Sequence, residues 1–123
     1  MSVALILIVD DQPTTRFLLK SILTSEGHLI LEAEHGQAAL ELLAAHLEVA
    51  LLVTDLEMPV MGGLELLRTL YPRTTLPKLI VSGCSAALPL TELGVSAFFG
   101  KPLELTRFKR TVQGLLTAPA TSV

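Results

Sequence analysis

The chain has 123 residues, half of them hydrophobic, and a formal net charge of −3. That length suits one domain of the usual ~100–150 residues, and the mild acidity excludes a broad cationic surface for nucleic acid. One cysteine, Cys84, rules out an internal disulfide or a cysteine-based zinc cluster.

The first segment, ALILIV at 4–9, is a continuous run of branched apolar residues, as expected of a strand buried on both faces. It is too short to span a membrane, lacks a basic leader and ends in two aspartates, so neither a signal peptide nor an anchor is expected. A cytoplasmic chain with no membrane contact is the expectation. A helical pattern follows, with Phe17, Leu18, Ile22 and Leu23 on one side, and stops at Glu26–Gly27. HLILEAE (28–34) predicts a second strand and GQAALELLAAH (36–46) an Ala/Leu helix. VALLVTD (49–55) predicts a third strand, and the loop MPVMGG leads into the helical LELLRTLY.

KLIVSG (78–83) predicts a fourth strand and AFFGKP (97–102) a short fifth, before a last helix at 104–116. Between them the fourth helix is short or irregular, because Pro89 falls inside it and a proline disrupts a helix interior. Strands alternating with helices imply a parallel sheet covered on both faces: an α/β, doubly wound (βα)5 sandwich. Residues 1–117 form the domain, and 118–123 read as a tail or the start of a linker.

The chain holds nine glutamates but only three aspartates, and all three, Asp10, Asp11 and Asp55, sit where predicted strands end. Ligands of open α/β sheets bind outside the carboxyl ends of the strands. Three carboxylates at one edge repel one another unless a cation sits among them, and an oxygen-only set suits a hard ion such as Mg²⁺. Ser82 ends strand four and Lys101 follows strand five, so a hydroxyl and an ammonium converge on the same edge. A carboxylate nucleophile, a metal, a lysine and a hydroxyl are what phosphoryl transfer to an aspartate requires.

IVDD, the D-x-x-M-P-x-M-x-G run from Asp55 to Gly63, IVSG and the GKP at 100–102 together resemble the receiver domains of response regulators, over essentially the whole chain. The resemblance implies a flavodoxin-like five-stranded sheet in the order 2-1-3-4-5. It implies that Asp55 is the phospho-acceptor and that Asp10 and Asp11 hold Mg²⁺ with Asp55 and the backbone carbonyl of Glu57. Lys101 would pair with the phosphoryl group, Ser82 would be the switch hydroxyl, Phe98 the aromatic switch, and Pro102 would follow a cis peptide. A histidine kinase or histidine phosphotransfer domain would be the donor, with the first helix, near Thr15 and Leu18, its docking surface; an output domain or protein target would lie downstream. Gly83 stands where the family often has Ala or Thr, and Phe98 lacks the hydroxyl of a tyrosine.

Each residue also has an ordinary reading. Asp10–Asp11 suits a helix N-cap, Lys101–Pro102 a loop, and Phe98, Met58 and Met61 packing. Cys84 suits a buried small hydrophobe, and Arg107, Lys109 and Arg110 a solvated face. His28, His35 and His46 are assigned no chemistry. The rival functions are a receiver-like module that binds proteins without phosphorylation, and a small-phosphate hydrolase using Glu57 as a second acid. The latter has no residues left for a substrate cap, so a signalling domain rather than an enzyme is expected.

Overall fold

The apolar runs become five strands in a computed structural model, which describes residues 3–71, 74–83 and 93–117. They are β1 (Leu5–Val9), β2 (Leu29–Ala33), β3 (Val49–Thr54), β4 (Lys78–Ser82) and β5 (Ala97–Gly100). Among the described residues four helices accompany them: α1 (Pro13–Ser25), α2 (Gly36–Ala45), α3 (Gly63–Leu70) and α4 (Leu105–Thr117). All strand pairs are parallel, in the order β2-β1-β3-β4-β5, as the resemblance implied. The expected irregular helix between β4 and β5, with Cys84 and Pro89, falls at 84–92, outside the described residues, as does the 118–123 tail. Among the described residues no helix is long and apolar enough to cross a membrane.

Strand periodicity divides the core in two. Ile6, Ile8, Leu51, Val53, Leu79, Val81 and Phe99 face α1 and α4, meeting Leu19, Leu23, Phe108 and Val112. Leu7, Val9 and Leu52 face the other way, onto Ala39 and Leu66 of α2 and α3. With both faces covered, β1, β3 and β4 have no polar face to alternate, which is why they read as unbroken apolar runs.

The expected inner face of α1 is corrected. Leu19, Ile22 and Leu23 are buried, while Phe17 is 72% and Leu18 45% exposed. At 3.6 residues per turn, Phe17 lies on the far side of the arc set by those three, and Leu18 on its flank. The helix ends where expected: Gly27, at φ +94°, turns the chain so that its amide and that of His28 bond back to the Thr24 and Leu23 carbonyls.

Lys78 is unlike the other strand residues. It is 1% exposed, its Nζ donates to the Leu76 carbonyl at 2.9 Å, and no carboxylate pairs with it among the described residues. Burial pushes its ammonium below the usual lysine range. Between that lowered value and the ordinary 10.5, the unfolded chain holds more protons at Lys78 than the folded one, so stability rises with pH across this window. Lys78→Met is expected to flatten that rise and to melt higher at neutral pH. Denaturant titrations at neutral and alkaline pH check this, and identical pH slopes for both proteins would refute it.

Candidate functional site

The sheet order makes β1 and β3 neighbours, so the residues that follow them meet at one edge. Asp10 comes directly after β1 and Asp55 directly after β3. Each extends the sheet by one bond, the Asp10 amide to the Ala33 carbonyl at 3.1 Å and the Asp55 amide to the Val9 carbonyl at 2.9 Å. Asp10 and Asp55 are buried and Asp11 is exposed, yet carboxylate oxygens of all three lie within 4.8 Å of one another.

Lys101, one residue past β5, reaches across with its Nζ 3.2 Å from Asp10 Oδ2 and 3.1 Å from Asp55 Oδ2. Ser82, the buried last residue of β4, hydrogen-bonds the Asp55 side chain. Oδ1 of Asp55 accepts from the Leu56 amide at 2.6 Å and from the Glu57 amide at 3.4 Å. The five residues singled out as a constellation, Asp10, Asp11, Asp55, Ser82 and Lys101, are thus brought together from four strand ends.

Their electrostatics separate the two buried carboxyls. Burial pushes both upward. For Asp55 the bonds from Ser82, Lys101 and the Leu56 amide outweigh burial and hold the carboxyl below its ordinary value. For Asp10 burial prevails over the Gln12 amide and Lys101, and the nearby Asp55 adds to it, so that carboxyl lies above its ordinary value. Burial lowers the Lys101 ammonium, but Asp55 and Asp10 more than compensate and raise it. Asp55 is therefore the more readily ionised of the two, and one ammonium faces three acids. That imbalance and the all-oxygen donor set fit a hard divalent cation. An ionised carboxylate beside fixed positive charge can attack a phosphoryl group, because its charge and that of the incoming oxygens are offset on the spot.

Two glycines let α3 press against the acceptor. A Cβ on Gly63 would lie 1.9 Å from the Asp55 carbonyl oxygen, and one on Gly62 would lie 2.8 Å from that of Leu56. Between Asp55 and α3, Val60 sits at φ +69°, bridged by a bond from the Met61 amide to the Pro59 carbonyl. This is a classic γ-turn, strained for a β-branched residue. Sequence reasoning did not assign roles to Gly63, to Thr54, whose hydroxyl donates to the Asp55 carbonyl at 2.7 Å, or to Arg16. The Gly-Gly pair before an apolar helix was the available signal for the first.

Other singled-out residues fall as follows. Phe98 is half-buried against the apolar cluster of Leu67, Ile80 and Leu93. The Lys101–Pro102 peptide is cis, and Glu57 is exposed. Met58 and Met61 pack on the Leu7 and Val9 side of the core. His28 Nδ1 accepts from the Ala4 amide and His35 Nδ1 caps α2, so both have structural uses. Arg107 lies 4.3 Å over the Phe99 ring, while Lys109 and Arg110 are solvated.

The family model of the response regulator receiver domain matches residues 6–113. A chemotaxis protein CheY homolog from Campylobacter jejuni is 34% identical over 118 residues, covering 90% of this chain and 91% of that protein. The TorCAD operon transcriptional regulatory protein TorR of Escherichia coli is 33% identical over 114 residues, covering 90% of this chain and 49% of that protein. Among solved structures, the CheX–CheY–BeF3–Mg+2 complex from Borrelia burgdorferi superposes with a TM-score of 0.84 at 25% identity, over 93% of this chain and 90% of that one.

Proposed function

This chain belongs to the response regulator receiver family, the phosphoacceptors of two-component signalling, and from that premise we propose that Asp55 takes the phosphoryl group. The observation that carries the assignment is the Lys101 ammonium shared between Asp10 and Asp55 at 3.2 and 3.1 Å, beside an Asp55 carboxyl held below its ordinary value. Asp10, Asp11, Asp55 and the Glu57 backbone carbonyl would hold Mg²⁺. When bound, Mg²⁺ supplies positive charge to the oxygens of the transferred group.

The donor is a phosphohistidine of a histidine kinase or phosphotransfer domain. Its P–N bond breaks as an Asp55 oxygen forms the new P–O bond, and the imidazole departs. Lys101 turns from the two carboxylates to the phosphoryl oxygens. Ser82 transfers its hydrogen bond from the carboxylate to the phosphoryl group, and Phe98 moves into the space this leaves. A shift from 1:99 to 99:1 needs about 5.5 kcal/mol of preference for the active state, a scale that charge-assisted bonds from Lys101 and Ser82 supply in large part. Phe17 and Leu18, exposed on the helix that starts beside the site, offer the donor an apolar footing. The signal passes to an output domain or protein target in the cytoplasm.

The test is intact mass after incubation with a small phosphodonor. A gain of one phosphoryl group that requires Mg²⁺ and is absent in Asp55→Asn is expected. No gain, under conditions that label another receiver, would favour a module acting by binding alone.

A further inference from the structure

Asp11 is exposed, and among the described residues its carboxylate has no hydrogen bond or ion pair, so only the backbone aims it. That backbone is held from an unexpected direction. β1 ends at Val9, and although the Asp10 amide still bonds to Ala33, the Asp10 carbonyl has left the ladder. It accepts instead from Arg16 Nη1 at 2.7 Å. The same oxygen belongs to the peptide plane joining Asp10 to Asp11, so a bond to it fixes where Asp11 begins.

Arg16 is itself anchored at its other side. Its Nε lies 3.3 Å from Glu32 Oε1, its Nη2 lies 4.0 Å from Glu34, and its side chain is only 14% exposed. Glu32 is further tied to Lys20 at 3.3 Å. The guanidinium charge is thus balanced by carboxylates around the end of β2, not by the acids of the site. A planar fork can brace two groups at once, which a single ammonium cannot reproduce.

We propose that Arg16 is a positioning residue for the cation site, a strut from β2 to the Asp10–Asp11 peptide that aims Asp11 at the bound divalent ion. The inference rests on the reading of the three carboxylates as a Mg²⁺ site. Groups that orient metal ligands from behind typically matter by about tenfold or more in affinity. Arg16→Ala should therefore bind Mg²⁺ about tenfold more weakly, with Arg16→Lys recovering only part of the loss. Glu32→Gln, which frees the far end of the strut, should show a smaller loss.

Calorimetric Mg²⁺ titration of the full unphosphorylated chain reads this directly, with melting in chelator recorded alongside and Asp11→Asn run in parallel. Weaker binding by Arg16→Ala or, if that variant unfolds, by Arg16→Gln supports the proposal. Unchanged Mg²⁺ affinity with a lowered melting temperature overturns it, because the arginine would then serve stability alone. If Arg16→Ala binds normally while Asp11→Asn does not, only the strut is wrong. If Asp11→Asn also binds normally, or the parent chain takes up no Mg²⁺, the cation site itself falls and the strut with it.

Discussion

Gly63→Ala is expected to unsettle the fold and silence the acceptor at once. The new methyl carbon would stand 1.9 Å from the Asp55 carbonyl oxygen and 2.9 Å from its carbon, and both are backbone atoms that no rotamer change can move aside. Either α3 lifts away, losing the burial of Leu66 and Leu67, or the Asp55 peptide tilts and takes its carboxylate out of line with Lys101 and Ser82. Overpacking of this kind reaches about 3 kcal/mol or more when rigid atoms collide. Denaturant unfolding measures the first cost and phosphoryl uptake by mass the second. Gly114→Ala is the control: nothing lies within 4 Å of its added carbon, and alanine in a helix interior should gain about 0.5–1 kcal/mol. Equal stability of the Gly63 variant and its parent would refute the close contact of α3 with Asp55.

Lys101→Met is expected to separate metal binding from chemistry. In the absence of a metal, the ammonium is the cation that Asp10 and Asp55 share, and removing it leaves two buried carboxylates facing each other. Stability without metal should fall by about 1–3 kcal/mol, the low side of a broken buried pair because the lysine side chain is 25% exposed and water can enter. Mg²⁺ should bind more tightly, since it no longer competes with a resident charge. Phosphoryl uptake should nevertheless slow by about 10²-fold, because a fixed donor to the transferred oxygens has gone. Calorimetry and time-resolved mass measure the two effects on one sample. Unaltered uptake would remove Lys101 from the reaction; weaker Mg²⁺ binding would mean the lysine supports the ion and does not exclude it.

Much of the fold was legible because unbroken runs such as ALILIV and VALLVTD can only be strands covered on both sides, and covered parallel strands need the helices found between them. The site was legible for a related reason: acids directly after such runs must lie on one sheet edge. The face of α1 was not, because FLLKSIL admits two apolar stripes one or two positions apart, and packing against Phe108 and Val112 chooses the one through Leu19. The burial of Lys78 at the start of KLIVSG was not legible, since a lysine opening a strand carries no sequence mark of being covered. Arg16 carried no assigned role, since its two partners come from the ends of β1 and β2, which only the fold brings together. Contacts within one element leave a periodic trace in the sequence, whereas contacts between strand ends do not.

The bonds that carry the Asp10 and Asp55 amides onto Ala33 and Val9 also set how rarely this pocket comes apart. The Asp55 amide closes onto Val9 of the interior strand β1, where opening requires the loss of the whole cooperative unit, while the Asp10 amide closes onto Ala33 of the edge strand β2. Exchange of the Asp55 amide with deuterated solvent should be among the slowest in the chain, while amides on the outer edge of β2 exchange readily. The acceptor carboxylate is consequently attached to the most persistent part of the molecule, and partial unfolding at the rim can come and go without disturbing the frame in which a phosphoryl group is received.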